Sequence, residues 1–215
     1  MRCTLVAMVT SAQNPAWCAV LPVRPFATAK SRLGVSYPEY RADFARAFAR
    51  DTLAAVRSSP SIGAAVVVGA DVPHVGAGPP VRVTDDPGGL NPAIAEGERL
   101  ALDMGYRNIV VVAGDLPCLT EEAFTRILRA ARAHSRAFVP DLSGEGTTIL
   151  CASQTPLAPA FGHRSALAHR LSGANPLDSP QGARCDVDTA ADLELAARMG
   201  TGPATADLLQ TVPWR

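Results

Sequence analysis

Lysine is almost absent from this chain of 215 residues: Lys30 is the single one, and the other 19 of its 20 basic residues are arginine. There is no surplus of either charge, because Lys and Arg together number 20 and so do Asp and Glu. A protein that neutralises many nucleic-acid phosphates carries a basic surplus, so DNA and RNA are not expected as partners. Long apolar runs are missing too. The LVAMV run at 5–9 is shorter than the roughly 7 to 15 residues of a secretory signal core, and nothing later reaches the 18 or so that span a bilayer, so no membrane partner is expected. The cysteines (Cys3, Cys18, Cys118, Cys151, Cys185) form no C-x-x-C pair, and three sit in apolar, strand-like runs where a thiol behaves as a small hydrophobe. That usage points to a reduced, cytoplasmic protein.

Three missing motifs narrow the chemistry. Without G-x-x-x-x-G-K-[ST] the chain is not a P-loop kinase, and without G-x-G-x-x-G it is not a dinucleotide-binding dehydrogenase. Without a G-x-S-x-G elbow, Ser-His-Asp hydrolysis has no support. No linker, repeat or low-complexity tract divides the sequence, and its length with 47% hydrophobic residues suits one well-cored domain. We expect that domain over 17–206, with 1–16 a loose N-terminal extension and 207–215 a C-terminal tail.

Short apolar runs at 18–23, 64–69, 81–84, 108–113, 137–140 and 147–152 read as strands. Helix-period segments lie at about 39–57, 92–104, 120–134, 165–171 and 189–199. Their alternation predicts an α/β fold: one Rossmann-like domain with a mostly parallel sheet and helices on both faces. Thr120 followed by Glu121 and Glu122 reads as a helix N-cap, and Gly105 and Gly200 sit where C-terminal left-handed residues belong. Arg126, Arg129, Arg132 and Arg136 recur at helical spacing and read as a solvated face rather than a nucleic-acid stripe.

The run NIVVVA at 108–113 ends in Gly114-Asp115-Leu116-Pro117, which sets a lone carboxylate at a strand end. Ligands of open α/β sheets collect beyond the carboxyl ends of strands, so Asp115 is placed to hold a metal on a nucleotide phosphate. A second acidic pair, Asp186-Val187-Asp188, lies far downstream; one carboxylate from each cluster can share a single Mg²⁺ if the fold joins them. The loop after the first strand, LPVRPFATAKSRL at 21–33, carries Arg24, Lys30 and Arg32. Transfer at phosphorus is catalysed largely by positioning and charge neutralisation, which such cations supply, although a solvated loop would also carry them.

In the glycine-rich stretch TDDPGGLNPAI at 84–94, Gly89 lets backbone approach a flat ligand and Asn91 offers a donor and an acceptor; a plain turn with an N-cap explains it almost as well. Phe161-Gly162-His163-Arg164-Ser165 opens a helical stretch whose free N–H groups attract anions. There Gly162 allows close approach, and Ser165 either caps the helix or donates to a phosphate or carboxylate. Thr147 adds a hydroxyl at a strand start. His163 and His169 are read as surface or capping residues, because a phosphate monoester is largely dianionic at neutral pH and needs no general base.

Six motifs now stand in order: L-P-V-R-x5-K-S-R-L at 21–33, G-G-L-N-x-A-I at 88–94, G-D-L-P at 114–117, G-T-T-I-L-C at 146–151, F-G-x-x-S-A at 161–166 and C-D-V-D-T-x-x-D-L at 185–193. Through them the chain, from Trp17 to about Ala206, resembles the phosphoenolpyruvate or 2-phospho-L-lactate guanylyltransferases of deazaflavin coenzyme F-420 biosynthesis, within the MobA-like nucleotidyltransferases. The resemblance implies a GTP-dependent reaction. A phosphate oxygen of the acid attacks the α-phosphorus, pyrophosphate leaves, and the guanosine diphosphate conjugate passes to the next transferase of the pathway. It also implies Mg²⁺ held by Asp115 and by Asp188 in preference to Asp186, with Lys30, Arg24 and Arg32 as catalytic cations. Arg24 stands where a lysine is often found. Pro22, Lys30, Gly89 and Asn91 would bind the nucleotide, and Thr147, Gly162 and Ser165 match positions that contact the phosphorylated acid. Phosphoenolpyruvate is favoured over 2-phospho-L-lactate because the arginine- and alanine-rich chain and its F-G-x-x-S-A segment look more like the bacterial branch. Two other readings are a D-x-D nucleotide-sugar glycosyltransferase, disfavoured because its acidic pair comes so late, and a non-catalytic nucleotide-binding module.

Overall fold

Every residue of the strand Asn108–Val112 is buried, and so are six of the seven in Trp17–Val23, because the sheet they centre is covered on both faces. The structure, a computed structural model, describes residues 16–69, 72 and 78–213. The expected N-terminal extension falls almost entirely outside them. The strands are β1 (Trp17–Val23), β2 (Ile62–Gly69), β3 (Val81–Thr84), β4 (Asn108–Val112), β5 (Arg136–Pro140), β6 (Thr147–Ser153) and β7 (Asn175–Pro176). They lie in the order β3-β2-β1-β4-β6-β5-β7. Only β6 runs against its neighbours β4 and β5; the other pairs are parallel. The mostly parallel sheet is as expected.

The helices are α1 (Leu33–Ser36), α2 (Arg41–Ser58), α3 (Leu90–Asp103), α4 (Glu121–Ala131), α5 (Ser165–Leu171), α6 (Ala190–Met199) and α7 (Pro203–Leu209). Strand side chains alternate between faces, and β1 shows the consequence. Trp17, Ala19, Leu21 and Val23 share a core with Leu53 and Val56 of α2 and Phe124, Ile127 and Leu128 of α4. Cys18 and Val20 share the opposite core with Ala93 and Ile94 of α3 and Ala166 of α5. Helix α3 lies close against β1 at Gly97, where a Cβ would collide with the Val20 side chain. A third core joins Phe44 and Phe48 of α2 to Leu193 and Ala196 of α6 and to Val212.

Thr120 caps α4 by accepting from the Ala123 N–H, and Thr189 and Asp192 form a reciprocal capping box at the start of α6. The short elements α1, β7, α7 and a 3₁₀ turn at Gln181–Ala183 are additions to the expected pattern. Helix α7 crosses the expected domain boundary at 206. It is anchored there because the buried Asp51 of α2 accepts from the Ala204 and Thr205 N–H groups at 2.9 and 2.8 Å. The arginine series is split. Arg126 and Arg129 are exposed on α4, while Arg132 lies 5.9 Å from the Trp17 ring and Arg136 begins β5. No helix among the described residues is long and apolar enough to cross a membrane.

Candidate active site

Strand β1 has β2 on one side and β4 on the other, so the chain leaves their carboxyl ends in different directions and opens a crevice there. Past β1, the turn from Pro25 is closed by hydrogen bonds from Thr28 and Ala29 N–H to the Pro25 carbonyl. Arg41, at the start of α2, grips the loop from below, donating to the Ala29 carbonyl and, at 2.6 Å, to the Ala27 carbonyl. Lys30 follows with φ of 57°, a left-handed conformation that costs a non-glycine residue on the order of 1–2 kcal/mol. Such strain persists where surrounding contacts impose it, commonly at functional positions.

That conformation brings the Lys30 ammonium onto Asp115 Oδ2 and, at 2.7 Å, onto Asp188 Oδ1. The two acidic segments are also joined through backbone, since the Val187 N–H donates to the Asp115 carbonyl at 3.1 Å. Asp192 fixes the second segment by accepting from the N–H groups of Asp188 and Thr189 at 3.1 and 2.8 Å. The end of β4 and the entry to α6 therefore converge, as the shared-cation expectation requires. The cation between Asp115 and Asp188 is the Lys30 ammonium, and among the described residues no three metal-ligating side chains are gathered as a ready cage.

The electrostatics follow from this packing. Burial works to lower the Lys30 pKa, but the charges and hydrogen bonds of Asp115 and Asp188 outweigh it and raise it. Burial works to raise Asp188; the Lys30 charge and hydrogen bond, helped by Arg32 and Arg24, hold it below the usual carboxylate range. Asp186 lacks such a partner. Burial, with the Asp115 charge added, pushes it up to about 7. Asp115 Oδ1 is buried without a hydrogen-bond partner. The orphaned Asp115 oxygen and the Asp188 carboxylate that shares the Lys30 ammonium with Asp115 are two hard oxygen donors, a type that suits a divalent cation such as Mg²⁺ or Mn²⁺.

A cavity of about 370 Å³ opens beside this cluster. Of the residues expected at the site, Pro22, Arg24, Lys30, Asp115, Asp186, Asp188, Thr147, Gly162 and Ser165 all line it. Gly89 lines an adjoining cavity of about 260 Å³ that shares Pro22, Arg24 and Leu90 with the first. Arg32 is exposed just before α1 and acts on Asp188 through its charge. Asn91 does not face a ligand with free groups. Its Nδ2 donates to the Phe161 carbonyl and its Oδ1 accepts from the Phe161 N–H, both at 2.9 Å, so it clamps the segment that opens α5.

Ser165 is the first residue inside α5; Arg164 takes the cap position with φ of 54°, so the serine caps nothing and its side of the cavity remains polar. His163 is exposed as expected. His169, expected as a surface or capping residue, is instead fully buried, between Thr147, Ala160 and the rings of Phe138 and Phe161. Nothing local in the sequence announced this, since its partners come from three separate segments.

The MobA-like NTP transferase domain family matches residues 31–177. A phosphoenolpyruvate guanylyltransferase of Geodermatophilus obscurus is 41% identical over 208 residues, covering 90% of this chain and 94% of that protein. The chain belongs to the phosphoenolpyruvate guanylyltransferase family. Solved structures agree on the fold of this family. The 4-diphosphocytidyl-2C-methyl-D-erythritol synthase of Anaerococcus prevotii superposes with a TM-score of 0.58 at 14% identity, over 91% of this chain and 96% of that one. Rv0371c of Mycobacterium tuberculosis, whose crystal structure contains manganese, gives 0.51 at 22% identity, over 85% and 97%. The guanylyltransferase family thus carries a nucleotidyltransferase fold here, with Asp115, Lys30 and Asp188 at the crevice.

Proposed function

We propose that the protein transfers GMP from GTP to phosphoenolpyruvate, forming enolpyruvyl-2-diphospho-5′-guanosine and releasing pyrophosphate. The observation that carries this reading is the Asp115, Lys30 and Asp188 cluster on one wall of a cavity whose other wall offers Thr147, Gly162 and Ser165. A family relative bearing that activity in its name supports it. In the reaction a phosphate oxygen of the acid bonds to the α-phosphorus, the bond from that phosphorus to the bridging oxygen breaks, and the electron pair leaves on pyrophosphate. No base is required, because the attacking phosphate is already anionic.

The protein's work is placement and charge. Pro22 and Gly89 border the adjoining cavity, which suits the guanine base. Arg24, Lys30 and Arg32 neutralise the triphosphate as charge moves towards the leaving group. Thr147 and Ser165 donate to the acid, and Gly162, with φ of 137° and open space where a Cβ would stand, admits it against backbone. Asp115 and Asp188 would hold the Mg²⁺, and Rv0371c, which shares the fold, is a complex with manganese. When bound, that ion stabilises the charge growing on the phosphates. The same reading puts the protein in the cytoplasm, where its four described cysteines stay as buried thiols, and hands the product to a following transferase.

The test is pyrophosphate release from purified protein with GTP, Mg²⁺ and either phosphoenolpyruvate or 2-phospho-L-lactate, coupled to the next transferase so that an unstable product is trapped. Release with phosphoenolpyruvate is expected. Release only with 2-phospho-L-lactate changes the acceptor, and release with neither overturns the reading. Preference for GDP-sugars over GTP would favour glycosyl transfer instead.

A further inference from the structure

The ring of His169 bridges two walls of the acceptor side. Its Nε2 lies 3.0 Å from the Ala160 N–H, and its Nδ1 lies 2.9 Å from Thr147 Oγ1. A backbone N–H can only donate, so Nε2 must be the bare, accepting nitrogen. A neutral imidazole then carries its one proton on Nδ1, and that proton goes to the Thr147 oxygen. The threonine oxygen is an acceptor in this pair, which leaves the Thr147 hydroxyl hydrogen free to donate into the cavity that Thr147 lines. Ring contacts hold the imidazole in place, with Phe161 edge-on at 5.0 Å and Phe138 at 6.0 Å. Phe161 is itself clamped by Asn91.

We propose that His169 is a positioning residue of the acceptor site, which locks Thr147 as a hydroxyl donor towards an anionic oxygen of the phosphorylated acid and fastens the 160–162 segment beside it. This rests on reading the cavity as the acceptor site. Burial and the nearby Arg136 charge keep the ring neutral, with its pKa lowered to about 4, so the arrangement persists at physiological pH. A protonated ring would present a donor to the Ala160 N–H, and the bridge would open. The device favours anions: with the Nδ1 proton held on one lone pair of the Thr147 oxygen, the hydroxyl hydrogen is turned away from the ring and is offered to an acceptor in the cavity.

Two measurements decide it. In wild-type protein, two-bond ¹H–¹⁵N correlation of the histidine rings should show His169 with its proton on Nδ1 and Nε2 bare at pH 7; a proton on Nε2, or a charged ring, overturns the proposal. In steady-state kinetics, Thr147→Val and His169→Gln should each raise KM for phosphoenolpyruvate about tenfold or more, with KM for GTP unchanged within about twofold. The double variant should be no worse than Thr147→Val, because the glutamine amide oxygen can still accept from the Ala160 N–H at the Nε2 position and only the route through the hydroxyl is lost. His169→Asn, which can return an amide donor near Nδ1, should recover part of the loss. Additive effects, or a rise in both KM values, overturn the proposal and leave a packing role. If wild-type protein does not use the acid at all, the acceptor reading fails, and the ring tautomer still decides the His169 arrangement.

Discussion

Replacing Lys30 with methionine keeps the buried stem and removes the ammonium, so Asp115 and Asp188 are left without the cation between them. Breaking a buried ion pair costs about 3–5 kcal/mol. Here the side chains are 9% exposed for Lys30, 23% for Asp115 and 47% for Asp188, and water shields the last of these, which brings the figure to about 2–3 kcal/mol. In a protein of this length that lowers the melting temperature by roughly 5–10 °C. Turnover falls as well, by about 10²–10³-fold, the usual loss when one preorganised electrostatic contact to the transition state is removed. The decisive assay is thermal unfolding with and without Mg²⁺. In wild-type protein a divalent cation must compete with the ammonium for Asp115 and Asp188, whereas in Lys30→Met it enters their field unopposed. Mg²⁺ should therefore raise the melting temperature of the variant by more than it raises that of wild type. If the variant melts like wild type without metal, or if Mg²⁺ stabilises both equally, the cluster is not the electrostatic centre described.

Asp51→Ala should destabilise the chain by about 2–3 kcal/mol, because two N–H groups of α7 lose a buried carboxylate acceptor; urea unfolding measures this, and KM for both substrates should stay unchanged. The His169 pKa falls from its ordinary 6.5 to about 4 on folding, so between those values the unfolded chain binds more protons and stability drops as pH falls. Urea unfolding at pH 7 and 4.5 should show wild type losing about 2–3 kcal/mol more than His169→Gln across this window, and an equal loss in both would contradict it. Thr120→Ala, which removes the α4 cap, should cost about 1 kcal/mol in the same assay without changing activity.

The sheet was legible because its strands are short runs of small and β-branched residues, and because β4 is apolar up to the glycine before Asp115. Asp115 could be placed at a strand end from that run alone. Its meeting with Asp188 could not, since it depends on Lys30 and on the backbone bond from Val187; ordered motifs suggested the pairing and geometry supplied it. Asn91 was recognised as a donor and acceptor at a helix start, but its partner lies 70 positions away at Phe161, and no local pattern encodes that. His169 shows the same limit. A histidine in an alanine-rich helix reads alike whether it faces water or a core, and only the approach of β6 and the 160–162 segment decides. Helix α7 depends on Asp51, 153 positions before Ala204, so its anchoring was equally invisible.

The isosteric change Asp115→Asn tests the central claim most directly, because it keeps the shape of the β4 terminus and removes the charge that faces Lys30. With the circular dichroism spectrum unchanged, pyrophosphate release from GTP and phosphoenolpyruvate should fall by about 10³-fold or more. A variant that keeps its rate within about tenfold of wild type would contradict the account, because Asp115 would then stand outside the chemistry.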